Sequence, residues 1–285
     1  MRAPPESHQM INGLTRVIAH IGYPTQTFKS PMIYNPYFKH SGINAVVVPF
    51  ACEANNYPVF LRAIFGNRNT AGALITMPHK VATTELLDSH SATVEIAGSC
   101  NAVRLGADGQ LEGDMFDGEG FVRGIRRKGF APQGKAALII GSGGVGSAIA
   151  ASLAAAGVAK LALFDTCLNV AEKLAGRLLR HYPELTVEIS NNDAAGFDLI
   201  VNATPLGMYE TDPLPTDVSR IAPETFVGEV VLKEEMTPFL RSAAARGCRV
   251  QVGTDMLFEQ IPAYLEYFGL PTTTPENLRQ LAELD

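Results

Sequence analysis

The feature that most constrains this chain is a glycine-rich turn, Gly141–Gly146, which reads Gly-Ser-Gly-Gly-Val-Gly. The apolar segment before it, Ala136–Ile140, is predicted to be a strand, and the alanine-rich segment after it, Ser147–Ala156, is predicted to be a helix. A strand that ends tightly and a helix that begins at once aim backbone N–H groups at an anion. This context predicts a dinucleotide-binding turn, with an unrelated strand-to-helix loop as the alternative.

Each glycine of the turn has its own predicted task. Gly141 permits the turn itself, Gly143 removes the Cβ that would block the phosphates, and Gly146 lets the helix pack closely on the strand. Gly144 and Val145 complete the predicted cofactor contacts at the helix start, where the partial positive charge of the helix favours a pyrophosphate.

An acidic residue, Asp165, ends the next predicted strand, where a carboxylate accepts hydrogen bonds from the adenosine ribose. A carboxylate there repels a 2'-phosphate, and Phe164–Glu172 contains no Arg or Lys to pair with one. The sequence therefore favours NAD over NADP as cofactor. The alternative for Asp165 is a cap for the helix predicted to start at Asn169.

Composition sets the wider limits. With 285 residues, 46% of them hydrophobic and 18% charged, the chain fits two folded domains. A net charge of -6 disfavours nucleic acid or an anionic membrane as partner, and the one basic cluster, Arg126–Lys128, is expected to be a solvated helix end. The four cysteines form no CxxC pair, so no metal is expected. No leader or membrane segment is recognised, and we expect a cytoplasmic monomer or homodimer that acts on a small molecule.

Short apolar runs alternate with helical spacing along the chain, which is typical of an α/β fold with largely parallel sheets. The strands are predicted at Val17–Gly22, Asn44–Phe50, Gly72–Thr76, Ala102–Leu105, Gln110–Glu112, Ala136–Ile140, Leu161–Asp165, Asp198–Ala203, Phe226–Leu232 and Arg249–Val252. The helices are predicted at Ser30–His40, Tyr57–Phe65, Asp117–Lys128, Ser147–Ala156, Asn169–His181, Thr237–Arg246, Asp255–Phe268 and Pro275–Leu284.

Further segments resemble, in order along the chain, blocks of the shikimate/quinate dehydrogenase family: Lys29–Ile33, Ile75–Lys80, Cys100–Val103, Gly113–Gly118, Asn202–Met208 and Met256–Gln260. The resemblance implies a two-domain α/β protein. Residues 1–116 with 253–285 would form the substrate domain, and residues 117–252 a Rossmann-like NAD(P)-binding domain. It also implies an oxidoreductase that transfers hydride between NAD(P) and a cyclic hydroxy acid.

The same resemblance assigns roles to single residues. Lys80 and Asp117 would be the catalytic pair. Lys80 would exchange the hydroxyl proton, and Asp117 would orient Lys80 and the reacting oxygen. Ser30, Thr76, Asn101 and Gln260 would contact the substrate, and Thr204, Met208 and Gly253 the cofactor. The structural alternatives are a surface position for Lys80 and a helix cap for Asp117. For the substrate residues they are a turn contact for Asn101, an amphipathic helix for Gln260, and bonds to nearby backbone for Ser30 and Thr76. For Thr204 and Met208 the alternative is a loop shaped by Pro205 and Gly207 for folding alone.

Four positions that are usually polar in the family are apolar here: Phe28, Leu74, Phe116 and Leu232. Each lost hydrogen bond weakens substrate binding by roughly 0.5–1.5 kcal/mol. We therefore expect a less polar or differently decorated substrate than shikimate, with Phe28, Leu74 and Phe116 lining its site. Asp255 stands where the family commonly has glycine, either as a substrate contact or as a helix cap.

Two other functions fit the same patterns. A chain of this fold that bound cofactor and metabolite without reacting would act as a sensor, although such a chain has no chemical need to keep both Lys80 and Asp117. A different two-domain Rossmann enzyme, such as a methylenetetrahydrofolate dehydrogenase, is disfavoured by the blocks around Asp117 and Asn202.

Overall fold

The computed structural model describes residues 11–284, which divide into two compact units. The first unit comprises the chain up to Ser89, Cys100–Gly113 and the chain from Tyr264 onward. The second comprises His90–Ser99 and Asp114–Ala263. This division differs from the predicted one, since residues 90–99, 114–116 and 253–263 belong to the second unit. No helix in residues 11–284 is long and apolar enough to cross a membrane.

One six-stranded sheet has the order β2-β1-β3-β5-β6-β4. Its strands are β1 (Arg16–Gly22), β2 (Ala45–Ala51), β3 (Thr70–Ile75), β4 (Ser89–His90), β5 (Ala102–Leu105) and β6 (Leu111–Asp114). β1 runs parallel to β2 and β3, whereas β3 and β5 are antiparallel. The helices of the first unit are α1 (Ser30–His40), α2 (Tyr57–Ile64), α3 (Lys80–Thr83) and α10 (Pro275–Leu281). The strands predicted at Ala102–Leu105 and Gln110–Glu112 correspond to β5 and β6, which are neighbours in the sheet, and Gly109 between them adopts a left-handed conformation at φ 82°.

The second sheet is parallel and has the order β12-β11-β10-β7-β8-β9. Its strands are β7 (Ala136–Ile140), β8 (Lys160–Phe164), β9 (Thr186–Ile189), β10 (Leu199–Asn202), β11 (Phe226–Glu229) and β12 (Arg249–Gln251). The order reverses between β7 and β10, as in a doubly wound Rossmann sheet. The predicted α/β fold class is confirmed.

Helices cover both faces of the second sheet: α4 (Ala92–Ala97), α5 (Asp117–Arg127), α6 (Gly144–Ala155), α7 (Leu168–His181) and α8 (Pro238–Ala245), with most of α9 (Gly253–Tyr267) in the same unit. Alternate residues of β7 enter different apolar clusters, Ile139 with Ile149 and Leu153 on one face, Leu138 with Phe239 on the other. A sheet buried on both faces requires the nearly continuous apolar strands that the sequence contains.

Five short elements were not predicted from the sequence: α3, α4, β4, β9 and a 3-10 helix at Val218–Arg220. These elements are too short for hydrophobic periodicity to reveal them. The ends of α4 nevertheless carry recognisable signals, because the Ser91 hydroxyl accepts a hydrogen bond from the Val94 N–H and Gly98 closes the helix at φ 63°.

The basic cluster lies at the exposed end of α5, as predicted, and two of its side chains also form ion pairs. Arg127 forms an ion pair with the buried carboxylate of Glu259, and Lys128 Nζ lies 2.9 Å from Asp255 Oδ2. Asp255 Oδ2 also accepts a hydrogen bond from the Val252 N–H at the start of α9, which supports its capping role. The two ion pairs join the end of α5 to the first turns of α9 within the second unit.

Candidate active site

The glycine turn has the geometry that a dinucleotide requires. β7 ends at Ile140, Gly141 adopts φ 99°, and Gly143 precedes the first helical residue in an extended conformation. The helix begins at Gly144, three residues earlier than predicted, so the N–H groups of Gly144, Val145 and Gly146 belong to its first turn. N–H groups in a first helical turn lack intrahelical partners and are therefore available to an anion.

Two glycines of the turn are required for different reasons. A Cβ on Gly146 would lie 2.0 Å from the Gly141 carbonyl oxygen, so only glycine permits this approach of helix and strand. A Cβ on Gly143 would meet no described heavy atom within 4 Å. Gly143 is thus unconstrained by the fold, and the open space beside it suits the phosphates of a cofactor.

Asp165 is bonded to the glycine turn. Its Oδ2 accepts a hydrogen bond from the Ser142 N–H at 2.8 Å, and its Oδ1 accepts one from the Cys167 N–H at 2.9 Å. Cys167, not Asp165, directly precedes α7, so the helix-cap alternative is wrong. Each carboxylate oxygen has a second lone pair, which leaves Asp165 able to accept hydrogen bonds from a ligand.

A cavity of about 380 Å³ opens at the carboxyl ends of β7, β8 and β10 in the second unit. It is lined by Ile140, Gly141, Gly143, Phe164, Asp165, Thr166, Ala203, Thr204, Pro205, Leu206 and Pro215. In doubly wound sheets ligands bind at this edge, where the strand order reverses. The predicted contacts Gly141, Gly143, Asp165 and Thr204 meet at this cavity, and none of its lining residues is a lysine or an arginine.

The loop after β10 is shaped by a buried asparagine, Asn202. Its Oδ1 accepts hydrogen bonds from the N–H and the hydroxyl of Thr204, and its Nδ2 donates to the Leu206 carbonyl. Met208 is 43% exposed and does not line the cavity. Gly253 does not line it either. A Cβ there would lie 2.1 Å from the Val231 carbonyl oxygen, so close packing explains this glycine.

A buried carboxyl group that the sequence analysis missed supports this loop. Glu229 has no exposed surface, and its Oε2 accepts a hydrogen bond from the Thr237 hydroxyl at 2.9 Å. Burial raises the pKa of Glu229 from 4.5 to about 7, against the opposing effect of hydrogen bonds from Thr237 and Asn202. The signal in the sequence was an acidic residue inside an otherwise apolar strand.

Replacing Glu229 with glutamine is expected to flatten the pH dependence of stability. The folded protein holds the proton of the Glu229 carboxyl group more tightly than the unfolded chain does. The contribution of this group to the free energy of unfolding is therefore fully present below about pH 4.5 and is lost as pH rises through 7. The free energy of unfolding of the wild type should fall by on the order of 3 kcal/mol over this range. Glu229→Gln should not show this fall, because its amide carries no charge at any of these pH values. Denaturant unfolding between pH 5 and 8 would measure it, with the exposed Glu184→Gln as control. Equal pH slopes in wild type and E229Q would refute the prediction.

In the first unit, Lys80 begins the short helix α3 and is partly buried. Its carbonyl accepts a hydrogen bond from the Cys100 N–H at 2.8 Å. The preceding residue, His79, is buried, with Nε2 2.7 Å from the Cys52 carbonyl oxygen and its ring stacked on Tyr57 at 4.0 Å. Neighbouring residues thus fix the backbone that carries Lys80.

Three predicted substrate residues surround Gly22 and β3. A Cβ on Gly22 would lie 2.4 Å from Thr76 Cγ2 and 2.8 Å from Phe28 Cζ, so both side chains pack against this glycine. Leu74 is buried in β3. Two other predicted substrate residues belong to the same unit. Ser30 is the first residue of α1, and the buried Asn101 accepts the Ile75 N–H through its carbonyl at 2.9 Å.

His20, which the sequence analysis missed, joins this group. Its ring stacks on Phe28 with centroids 3.9 Å apart, and His20 and Leu74 are register partners across β1 and β3. Burial, followed by the charge of Lys80, lowers the pKa of His20 to about 4. A histidine in a strand of apolar residues was the available signal.

The second unit holds the remaining predicted residues. Asp117 is the first residue of α5 and is buried, while the cap position belongs to Phe116, so Asp117 is not the helix cap. Gln260 lies on α9 beside Gly120, and its Oε1 is buried without a hydrogen-bond partner among residues 11–284. Leu232 is 42% exposed. Lys80 and Asp117 belong to different units, and their pairing stays a prediction.

Comparisons with known proteins agree on one family. A model of the shikimate dehydrogenase substrate binding domain matches residues 20–103. Shikimate dehydrogenase (NADP(+)) of Desulforamulus reducens is 34% identical over 262 residues, 89% of each chain. Shikimate 5-dehydrogenase from Listeria monocytogenes, solved with shikimate and NAD, has a TM-score of 0.88 at 26% identity and covers 95% of this chain and 97% of that one. Quinate dehydrogenase from Corynebacterium glutamicum, solved with NAD, has a TM-score of 0.84 at 27% identity, covering 94% and 98%.

Proposed function

This chain belongs to the shikimate dehydrogenase family, and we propose that it transfers hydride reversibly between NAD(P) and a shikimate-like cyclic hydroxy compound. The observation that carries the proposal is the complete dinucleotide turn at Gly141–Gly146 in a chain that also holds Lys80 on a fixed backbone. An NAD(P)-dependent dehydrogenase acting on a CH–OH group needs both a cofactor site and a group that exchanges the hydroxyl proton.

The residues present fit a nicotinamide dinucleotide. The first turn of α6 and the open space beside Gly143 would hold the pyrophosphate, Asp165 the adenosine ribose, and Thr204 the loop side of the cavity. The bound cofactor supplies the acceptor or donor of hydride. During oxidation of the alcohol, Lys80 would take the hydroxyl proton, and it would return that proton when the ketone is reduced. Asp117 would orient Lys80 and the reacting oxygen.

Steady-state kinetics test this function. We expect the purified protein to reduce NAD⁺ in the presence of a cyclic hydroxy acid from a panel that includes shikimate and quinate. Because the side chains of Phe28, Leu74, Phe116 and Leu232 are apolar and cannot hydrogen-bond a substrate, kcat/KM on shikimate should be low compared with the preferred compound. Cofactor binding without turnover of any panel member would contradict the proposal, and efficient oxidation of shikimate would contradict its substrate part.

We further propose that NAD is preferred over NADP, although the relative from Desulforamulus reducens is named for NADP(+). The support is electrostatic. Asp165 and Thr166 line the cavity, and its lining includes no positive side chain that would pair with a 2'-phosphate. A carboxylate at Asp165 repels that phosphate.

Asp165→Asn is therefore expected to raise the ratio of kcat/KM for NADP⁺ to that for NAD⁺ roughly tenfold, equivalent to about 1.4 kcal/mol of like-charge repulsion removed. The amide oxygen still accepts one of the two backbone hydrogen bonds, and thermal unfolding would report any loss of structure. Thr166→Arg, which adds a phosphate partner and leaves Asp165 intact, is the comparison variant. An unchanged cofactor ratio in both variants, or wild-type preference for NADP⁺, would contradict the proposal.

A further inference from the structure

The polar group that the described structure leaves unexplained near Lys80 is the imidazole of His20. His20 is 8% exposed, and its Nδ1 is buried without a hydrogen-bond partner in the described part of the chain. Leaving a buried polar atom unpaired destabilises the folded chain, and this is tolerated where a ligand completes the pairing. The cost therefore points to a function for this nitrogen.

The surroundings of His20 are those of the predicted substrate site. Phe28 stacks on one face of the imidazole at 3.9 Å and reaches Gly22 beside Thr76. Leu74, the register partner of His20, extends from the same face of the sheet, because paired residues of parallel strands point to the same side. Lys80 lies near enough for its charge to act on His20.

The imidazole is neutral near pH 7, since its pKa is lowered to about 4. A neutral imidazole has one N–H donor and one acceptor nitrogen. An uncharged hydroxyl or amide both donates and accepts, so it can pair with either nitrogen. A carboxylate only accepts, so it can pair only with the nitrogen that carries the hydrogen. A carboxylate in this position would also lose its hydration against the apolar side chains of Phe28 and Leu74, which costs more for a charged group than for an uncharged one.

We propose that His20 binds the substrate and selects an uncharged hydroxyl or amide group, rather than a carboxylate, at the position beside Phe28. This inference rests on the proposed function, and it names a substrate class: a cyclic alcohol or ketone that lacks a carboxylate at that end. His20 then determines specificity, and Lys80 performs the proton exchange.

Two probes differ only at the relevant group: shikimate and its carboxamide. We expect wild-type kcat/KM to be about tenfold higher for the carboxamide. His20→Phe keeps the stacked ring and removes both nitrogens, so it should raise KM for the carboxamide roughly 3- to 10-fold, the size of one lost neutral hydrogen bond, with kcat nearly unchanged. His20→Asn, which retains a donor and an acceptor near Nδ1, should keep most of the affinity.

The outcomes separate this inference from the proposed function. Turnover of both probes with an unchanged carboxamide KM in His20→Phe, or a wild-type preference for shikimate, overturns the inference and leaves the dehydrogenase function intact. If neither probe is oxidised, the proposed function fails for them, and calorimetric titration of both into wild type and His20→Phe decides the role of His20. Weaker carboxamide binding by His20→Phe supports the inference, whereas equal or absent binding overturns it.

Discussion

Lys80→Met is expected to lower kcat roughly 10²- to 10⁴-fold, the usual contribution of a general acid–base group, while the Kd of NAD⁺ stays the same. The dinucleotide residues lie in the other compact unit, and the backbone hydrogen bond from Cys100 to the Lys80 carbonyl does not depend on the side chain. Stopped-flow hydride transfer with the preferred substrate, and fluorescence titration of NADH, measure the two quantities. Lys39→Met, which removes an exposed lysine at the end of α1, is the matched control.

Two further measurements make this prediction specific. The charge of Lys80 lowers the pKa of His20, so Lys80→Met should raise that pKa, which NMR titration of the imidazole detects. If Lys80 and Asp117 act as a pair, the losses in Lys80→Met and Asp117→Asn should be strongly non-additive in the double variant. Additive losses would contradict the pairing, and a fall in kcat of less than about fivefold would contradict proton exchange by Lys80.

Gly146→Ala and Gly143→Ala are expected to impair different properties, the first the stability of the fold and the second the binding of NAD⁺. The new Cβ at position 146 would lie 2.0 Å from the Gly141 carbonyl oxygen, so the turn must shift, and we expect a loss of about 1–3 kcal/mol or more in the free energy of unfolding. At position 143 the new Cβ meets no described atom, and the residue has an ordinary φ of -70°. Gly143→Ala should therefore keep wild-type stability and weaken NAD⁺ binding at least about tenfold, because its methyl group enters the phosphate space.

Gly176→Ala is a control variant that should raise the free energy of unfolding, whereas Gly146→Ala should lower it. Gly176 lies within α7, where a Cβ meets no described atom, so this variant should be more stable by about 0.5–1 kcal/mol and bind NAD⁺ normally. Chemical denaturation and calorimetric titration measure both properties. Unchanged NAD⁺ affinity in Gly143→Ala would contradict the placement of the pyrophosphate at this turn.

The long elements could be predicted because their hydrophobic pattern repeats over enough residues. The predicted helix Ser30–His40 agrees with the structure to the residue, and the strands β7 and β8 differ by at most one residue at each end. The helices α3 and α4 were missed because four to six residues carry no readable period. The start of α6 was placed too late, because glycine is a poor helix former whose use here is decided by packing.

The sequence by itself determined the fold class and the position of the glycine turn, and it supplied Lys80 as the candidate for proton exchange, since these depend on local spacing and on motifs that need particular residue types. Only the tertiary structure decided which residues that are distant in the sequence contact one another. It paired Arg127 with Glu259, buried Glu229 beneath the Asn202 loop and stacked His20 on Phe28. The physical reason is that a residue's burial and its partners depend on chain segments far away in the sequence, and desolvation and charge, which set pKa and specificity, follow from that burial.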